Sequence, residues 1–286
     1  MIDTWQFSLL MYYIFNVIFF QFYKLSVKNV KKDGAATIIL QTIAGLSQLL
    51  IIPFFAWQVP NKTSIFLLLA AASVFYAIND RLQTTVRKNL EVSIFTILSQ
   101  FGTVFLIIYS FTIFKDPIEL TKILGGLLII AANVWLFYKP RNGKKFVVNK
   151  YYVIGIIALL AFATAISIDI GISDEFNLPF YIALTLLVPA FMIAASEKIK
   201  LHYFKDEWSR GNKKHYLITG VAWGFVILFG LRAYQFGEVS TIVPLQAVTV
   251  LLNVLTAFVF LKERSHPYKK LAAAVLVILG VYLTVL

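Results

Sequence analysis

Two stripes of polar side chains, each inside a long apolar segment, are the residues of this chain best suited to hold a ligand. At helical spacing the segments carry Thr96, Ser99, Gln100 and Thr103, and then Gln246, Thr249, Asn253 and Thr256. Polar groups are costly in hydrocarbon, so such a stripe usually faces protein or water. Hydroxyl residues also hold membrane helices together, which is the alternative interpretation of the Ser and Thr positions. The amides need partners, so we expect Gln100, Gln246 and Asn253 to line a cavity.

Asp169 is the candidate coupling carboxylate. It follows the uncharged run 151–168. A carboxyl group inside a membrane can carry a proton in exchange for a substrate, which is why ionisable residues there mark transport pathways. The alternative is a solvated residue beside the polar segment 173–175.

Further cavity candidates lie on four other predicted helices. They are Tyr12, Asn16, Gln41, Tyr76, Asn79 and Trp223. Because aromatic faces attract cations, Tyr12, Tyr76 and Trp223 could form a cage for an organic cation. Tyr and Trp at helix ends are more often residues of the membrane interface, an interpretation that fits Trp5, Trp57 and Trp135.

The remaining ionisable residues predict no catalytic chemistry. Glu91 and Glu238 begin apolar segments, where a helix dipole would stabilise them, and the cluster 262–264 is expected in a solvated loop. There is no cysteine and no glycine-rich nucleotide loop. We expect no enzyme activity, cofactor or metal, since the three histidines are predicted in loops without metal-ligand partners: His202, His215 and His266.

The composition is that of a membrane protein. Hydrophobic residues make up 59% of the 286 residues and charged residues 14%, and the mean hydropathy is +0.80. Soluble proteins are about 45–50% apolar and about 25% charged. The apolar runs are continuous rather than alternating, which favours helices over a barrel. The predicted class is therefore an all-α polytopic membrane protein.

An internal repeat organises the chain. Residues 91–116 reappear without a gap as residues 238–263, from Glu-Val-Ser at the start to Lys-Asp or Lys-Glu at the end. The repeat predicts two related parts, 1–143 and 144–286. Each part has five predicted helices, and an odd number inverts the second part relative to the first, with a central cavity between them. The ten predicted transmembrane helices are 4–23, 34–57, 63–80, 90–114, 119–138, 150–171, 179–198, 214–235, 238–261 and 268–285.

The positive charge lies on one side of these helices. All but four of the 26 Lys and Arg residues fall in the loops after helices one, three, five, seven and nine. That side should face the cytoplasm, so both termini are predicted outside, in a multi-pass protein of the plasma (bacterial inner) membrane. The same bias explains the net charge of +12 without a nucleic-acid partner.

The second half resembles the EamA-type repeat of the drug/metabolite transporter superfamily. The resemblance is carried by the runs 232–240 (RAYQFGEVS), 244–246 (PLQ) and 261–264 (LKER). The first half keeps Glu91-Val92-Ser93 but has Ile97-Leu98 in place of Pro244-Leu245. The resemblance implies ten helices around a central cavity that opens alternately to the two sides.

These observations predict a secondary transporter, as monomer or homodimer, for a small polar or amphipathic metabolite. Export of an amino acid or related compound is the first expectation, with a proton or counter-substrate as the coupling partner. The alternatives are uptake of an organic amine or cation, exchange of a phosphorylated metabolite, and, in another class, a membrane scaffold that transports nothing.

Overall fold

The computed structural model describes residues 4–113, 118–137, 149–237 and 239–286, and in these ranges it contains helices but no strands. Two short segments, Ile52–Phe54 and Ser173–Glu175, are 3₁₀ helices. The α-helices are α1 (Trp5–Val27), α2 (Asp33–Leu49), α3 (Thr63–Asn89), α4 (Val92–Leu98), α5 (Phe101–Thr112), α6 (Leu120–Phe137), α7 (Lys150–Ile172), α8 (Leu178–Ser196), α9 (Leu201–Arg210), α10 (Lys213–Phe236), α11 (Val239–Phe260) and α12 (Pro267–Leu283).

Seven helical segments of the described chain are long and apolar enough to cross a membrane. Shorter apolar helices occupy 120–136 and 245–260. Large apolar side chains such as Phe191 and Val259 point outward, with 74% and 80% of their surface exposed. An outer surface of this kind is stable in lipid and unfavourable in water. The fold is thus an all-helical one with the composition of a helical membrane protein.

The helices differ from the predicted segments in three places. The third helix continues to Asn89, so Asp80 and Arg81 lie inside it and not at its end. The prediction was wrong because the carboxylate of Asp80 is satisfied by side-chain amides and does not need water. The fourth segment is interrupted at residues 99–100, between α4 and α5. The amphipathic helix α9 was not predicted, since it lies in the expected loop after the seventh segment.

The backbone tightens at the interruption of the fourth segment. The hydroxyl of Ser99 donates to the carbonyl of Thr96 at 2.7 Å, which competes with the helical ladder. The N–H of Gln100 then bonds the carbonyl of Ile97 at 3.2 Å, a tighter turn than the α-helix makes. In the other copy of the repeat, α11 is continuous through the corresponding positions.

Several pairs of packed helices have an equivalent pair, formed by the corresponding helices when the two halves of the chain are exchanged. The pair α1–α10 corresponds to α7–α3, the pair α2–α10 to α8–α3, and the pair α1–α11 to α7–α5. The pairs α2–α8, α6–α12 and α4–α11 join equivalent helices of the two halves. Each of these contacts thus has a counterpart when the two parts of the chain are exchanged.

The connecting segments gather at two ends of the bundle. At one end Lys88 pairs with Asp33 at 2.9 Å, and Arg81 pairs with Glu197. At the other end the side-chain amide of Asn177 donates to the carbonyl of Ala56 at 2.9 Å. The first end brings together segments 24–33, 81–91, 197–214 and 261–270, and we call it the basic end because most of the described Lys and Arg residues lie there.

Candidate functional site

One face of α3 carries a line of polar side chains through the centre of the bundle. Asp80, Thr84 and Arg87 are buried and lie about one helical turn apart, and Tyr76 precedes them at the same spacing. Ionisable groups inside membrane helices are rare and mark functional sites. The buried polar face of α3 is therefore a candidate functional site.

Asp80 lies at the middle of this face and is held by two amides. Its Oδ2 accepts a hydrogen bond from Gln41 Nε2 of α2 at 2.8 Å, and its Oδ1 accepts one from Asn79 Nδ2 at 2.7 Å. Gln83 in turn donates to Asn79 Oδ1 at 2.9 Å. The side-chain oxygen of Gln41, Oε1, is buried and has no hydrogen-bond partner among the described residues. Two predicted cavity residues, Gln41 and Asn79, thus meet at an acidic group.

Asp169 lies in the last part of α7, with only 3% of its surface exposed. Its carboxylate accepts hydrogen bonds from the hydroxyls of Tyr76 on α3 and Tyr181 on α8. The alternative of a solvated residue beside 173–175 therefore does not hold. The structure joins Asp169 to Tyr76, so the two predicted residues occupy one buried site between three helices.

Arg87 closes the line of α3 at the basic end. Its guanidinium carbon lies 4.3–4.8 Å from the centroids of four rings, and its Nε donates to Gln83 Oε1 at 3.2 Å. Ring faces stabilise a cation that has lost water. The rings belong to Phe19, Phe20 and Tyr23 of α1 and Phe95 of α4.

A second polar cluster joins α1 to α11. Asn253 Nδ2 donates to Asn16 Oδ1 at 2.8 Å, and Gln21 Nε2 donates to the hydroxyl of Thr256 at 2.8 Å. Asn16, Gln21 and Asn253 are buried. The oxygens Gln21 Oε1 and Asn253 Oδ1 have no partner among the described residues. The predicted pair Asn16 and Asn253 is therefore brought into direct contact.

The remaining candidates, Gln246, Tyr12 and Trp223, do not share one environment. Gln246 accepts from the hydroxyl of Tyr234 at 2.6 Å, and the ring of Tyr12 packs beside it over Gly230. Trp223 packs against Phe19 and Tyr23 instead. Tyr12, Tyr76 and Trp223 consequently do not form one aromatic cage in this structure.

Within the described part of the chain, the side chain of Gln100 makes no hydrogen bond to these clusters. Its Nε2 lies 3.5 Å from the hydroxyl of Ser99, at the interruption between α4 and α5.

Glu263 corrects another expectation. It is buried rather than solvated. Its carboxylate accepts hydrogen bonds from the backbone N–H groups of Val92 at 2.7 Å and Ser93 at 3.0 Å. Glu91, at the N-cap of α4, pairs with the buried Lys270 of α12. We call Glu91, Ser93, Glu263 and Lys270 the α4 latch. Glu238, which corresponds to Glu91 in the second copy of the repeat, lies outside the described residues.

The sequence analysis predicted all three histidines in loops, and this prediction was wrong. His202 lies in α9, His215 in α10 and His266 at the N-cap of α12. Among the described residues no group of three or more His, Cys, Asp or Glu side chains could hold a metal ion.

Sequence reasoning missed Arg87, Gln21 and the internal position of Asp80. The spacing of Tyr76, Asp80, Thr84 and Arg87 is itself helical, so extending the third helix by two turns would have revealed the polar face. The cation–ring contacts of Arg87 depend on residues of α1 and α4, and no local pattern signals them.

Comparison with known proteins defines the fold only. No family model matches the sequence, and no curated protein matches it. Among solved structures, the chain is similar to one described as "Crystal structure of protein", with a TM-score of 0.55 and 13% identity. The similarity covers 97% of this chain and 95% of that chain. The overall arrangement of helices is therefore shared with a known structure, at an identity that carries no information about function.

Proposed function

We propose that the protein is a secondary active transporter that moves a small polar or amphipathic metabolite across the membrane by alternating access. The substrate class is an amino acid or a related compound, and the direction is export. One observation carries the proposal: buried amides and carboxylates lie inside an apolar helical bundle, and several of the amide oxygens have no hydrogen-bond partner among the described residues. A polar solute or water can satisfy such groups, whereas a purely structural interior would pair them.

The architecture proposed here is ten spans in two inverted five-helix repeats, 1–143 and 144–286. It is supported by the exchange of helix pairs between the halves. Inverted repeats place the substrate site at their interface near the midplane, and rocking of one against the other exposes it alternately. The protein would accordingly resemble EamA-type members of the drug/metabolite transporter superfamily.

The proposed substrate path runs between the two polar clusters. Asn16, Gln246 and Asn253 supply amides from α1 and α11, and Gln41 and Asn79 supply them from α2 and α3. Tyr12 and Trp223 would provide apolar contact, and Gln100 at the interrupted helix would join the path when the halves move. Both hydrogen-bond donors and acceptors are present, as recognition of a zwitterion requires.

Asp169 is the proposed coupling group. In this structure its carboxylate bonds two tyrosine hydroxyls away from bulk water. Proton binding there would change its hydrogen-bonding pattern and could be linked to the position of α3 against α7 and α8. We place the basic end in the cytoplasm of a bacterial cell, with both termini outside, since loops rich in Lys and Arg remain on that side.

A thermal-stability screen of the purified protein tests the proposal. A ligand that binds the native state raises its apparent stability. The screen covers amino acids, polyamines, choline-like amines and sugar phosphates, which also separates the two alternative substrate classes. Hits are then assayed as labelled solutes in proteoliposomes, with the Asn253→Leu variant for comparison. If no class of compound stabilises the protein and none is transported, the result would favour a scaffold and contradict the transporter.

A further inference from the structure

A cleft at the basic end has the composition of an anion site. It lies between the end of α1 and the start of α10 and has a volume of about 220 Å³. Lys28, Arg210 and His215 supply nitrogen donors, with Asn29 and Asn212 beside them. The complete lining is Leu25, Ser26, Lys28, Asn29, Val30, Glu207, Arg210, Gly211, Asn212 and His215.

The wall of this cleft is fixed in place by α9. Glu207 is buried, and its Oε1 accepts the backbone N–H groups of Lys31 at 3.1 Å and Lys32 at 2.9 Å. Its charge is therefore directed at the start of α2. Phe204 and Trp208 pack on the main apolar core. The helix thus presents Arg210 to the cleft from a rigid support.

The charges of the cleft are open to an incoming group. Lys28 and Arg210 are exposed. Arg210 pairs with Asp206 at 3.3 Å, but both side chains are about half exposed, at 44% and 51%. An exposed pair of this kind contributes little, so the guanidinium can accept a stronger anionic partner. Phosphate oxygens suit it because guanidinium binds them through two parallel N–H groups.

The position of the cleft identifies the occupant. It adjoins the ends of α1 and α10, two helices long and apolar enough to span a membrane, so it opens at the depth of lipid headgroups. Basic groups on amphipathic helices beside a membrane bind anionic lipids. Leu25 in the lining provides apolar contact for the acyl side. A soluble phosphate would use only the polar part of this surface.

We infer that this cleft binds the headgroup of an anionic phospholipid and that α9 is the platform for it. The inference is independent of which solute is transported. It gives a role to basic loop residues that lie away from the polar clusters of the bundle. Bound lipid would join α1, α9 and α10 at the basic end and stabilise the native protein.

The test measures lipid binding to the purified protein in neutral detergent. Titration with phosphatidylglycerol, phosphatidylcholine or inorganic phosphate is followed by thermal stability and by native mass spectrometry. We expect saturable stabilisation by phosphatidylglycerol alone, weakened by salt. Replacing Lys28→Gln and Arg210→Gln together should weaken phosphatidylglycerol binding about thirtyfold, from the usual contribution of a basic residue near an anionic surface. Lys205→Gln, an exposed position of α9 outside the cleft lining, is the matched control and should change it less than about twofold.

Each other outcome overturns the inference. Equal stabilisation by phosphatidylcholine would mean a lipid effect that does not depend on headgroup charge, and equal stabilisation by inorganic phosphate would mean a soluble-anion site. Unchanged phosphatidylglycerol binding in the double variant, with both variants folded by their thermal transitions, would place the lipid elsewhere. Solute flux measured in parallel reports separately on transport.

Discussion

The hydroxyl of Ser93 donates to the carboxylate of Glu263 at 2.5 Å, across the boundary between the two halves. The same carboxylate accepts the backbone N–H groups at the start of α4. Since α4 is only Val92–Leu98 and ends at an interruption, this contact fixes the orientation of a short helix. The α4 latch thus ties the segment after α11 to the start of α4 at the basic end.

Removal of this carboxylate should destabilise the protein. In Glu263→Gln only one oxygen remains to accept the three hydrogen bonds, and buried bonds to a charged group contribute about 1.5–3 kcal/mol each. We expect a loss of about 2 kcal/mol or more, measured as a lower midpoint of thermal unfolding in detergent. Glu119→Gln is the control, because the Glu119–Lys122 pair is partly exposed and lies away from the latch. Equal midpoints for the two variants would show that the latch does not hold α4.

The adjacent glycines of α6 should respond in opposite ways to alanine. A Cβ on Gly125 would lie 2.5 Å from the carbonyl oxygen of Gly280, so α6 and α12 must separate. A Cβ on Gly126 would meet only Ile107, at 3.7 Å. Gly125→Ala is expected to lower the thermal midpoint clearly, whereas Gly126→Ala should be neutral or gain up to about 1 kcal/mol from helix propensity. The reverse order would contradict the close crossing of α6 and α12.

Asp169→Asn should separate coupling from binding in the proposed transporter. Asparagine keeps the size and accepts a hydrogen bond but cannot bind and release a proton. In proteoliposomes we expect at least about a tenfold loss of proton-gradient-driven flux, with solute exchange retained. The exposed Asp174→Asn serves as the control. Wild-type gradient-driven flux in Asp169→Asn would exclude this residue as the coupling group while leaving transport by another mechanism open.

The contact between Asn16 and Asn253 should show thermodynamic coupling. Asn253→Leu alone leaves Asn16 Oδ1 without its 2.8 Å donor, and a buried unsatisfied group is costly. Adding Asn16→Leu removes that group. In a double-mutant cycle of thermal stability we expect a coupling of about 0.6 kcal/mol, the average for hydrogen bonds between membrane helices, and no more than about 1.7 kcal/mol. Strictly additive losses would mean that the two amides do not interact in solution.

Much of the helical pattern could be predicted because it is local. Continuous apolar runs and charged breaks determine where helices lie, and each of the ten predicted segments overlaps a helix. Two of the errors, at Asp80 and Glu263, occurred where distant residues satisfy polar groups. Asp80 resembles a helix end in sequence, yet Gln41 of α2 lets α3 continue past it. Glu263 resembles a solvated loop residue in sequence, yet its carboxylate accepts a hydrogen bond from a backbone N–H group at the start of α4.

The sequence by itself determined the apolar helical class, the internal repeat and the excess of basic residues in alternate loops, because composition and spacing are properties of the chain alone. Only the tertiary structure decided which polar side chains meet. It joined Asp169 to two tyrosines, placed Arg87 among four rings and paired Asn16 with Asn253. Hydrogen bonds and cation–ring contacts act over a few ångströms, so their partners are selected by helix packing, which no single segment encodes.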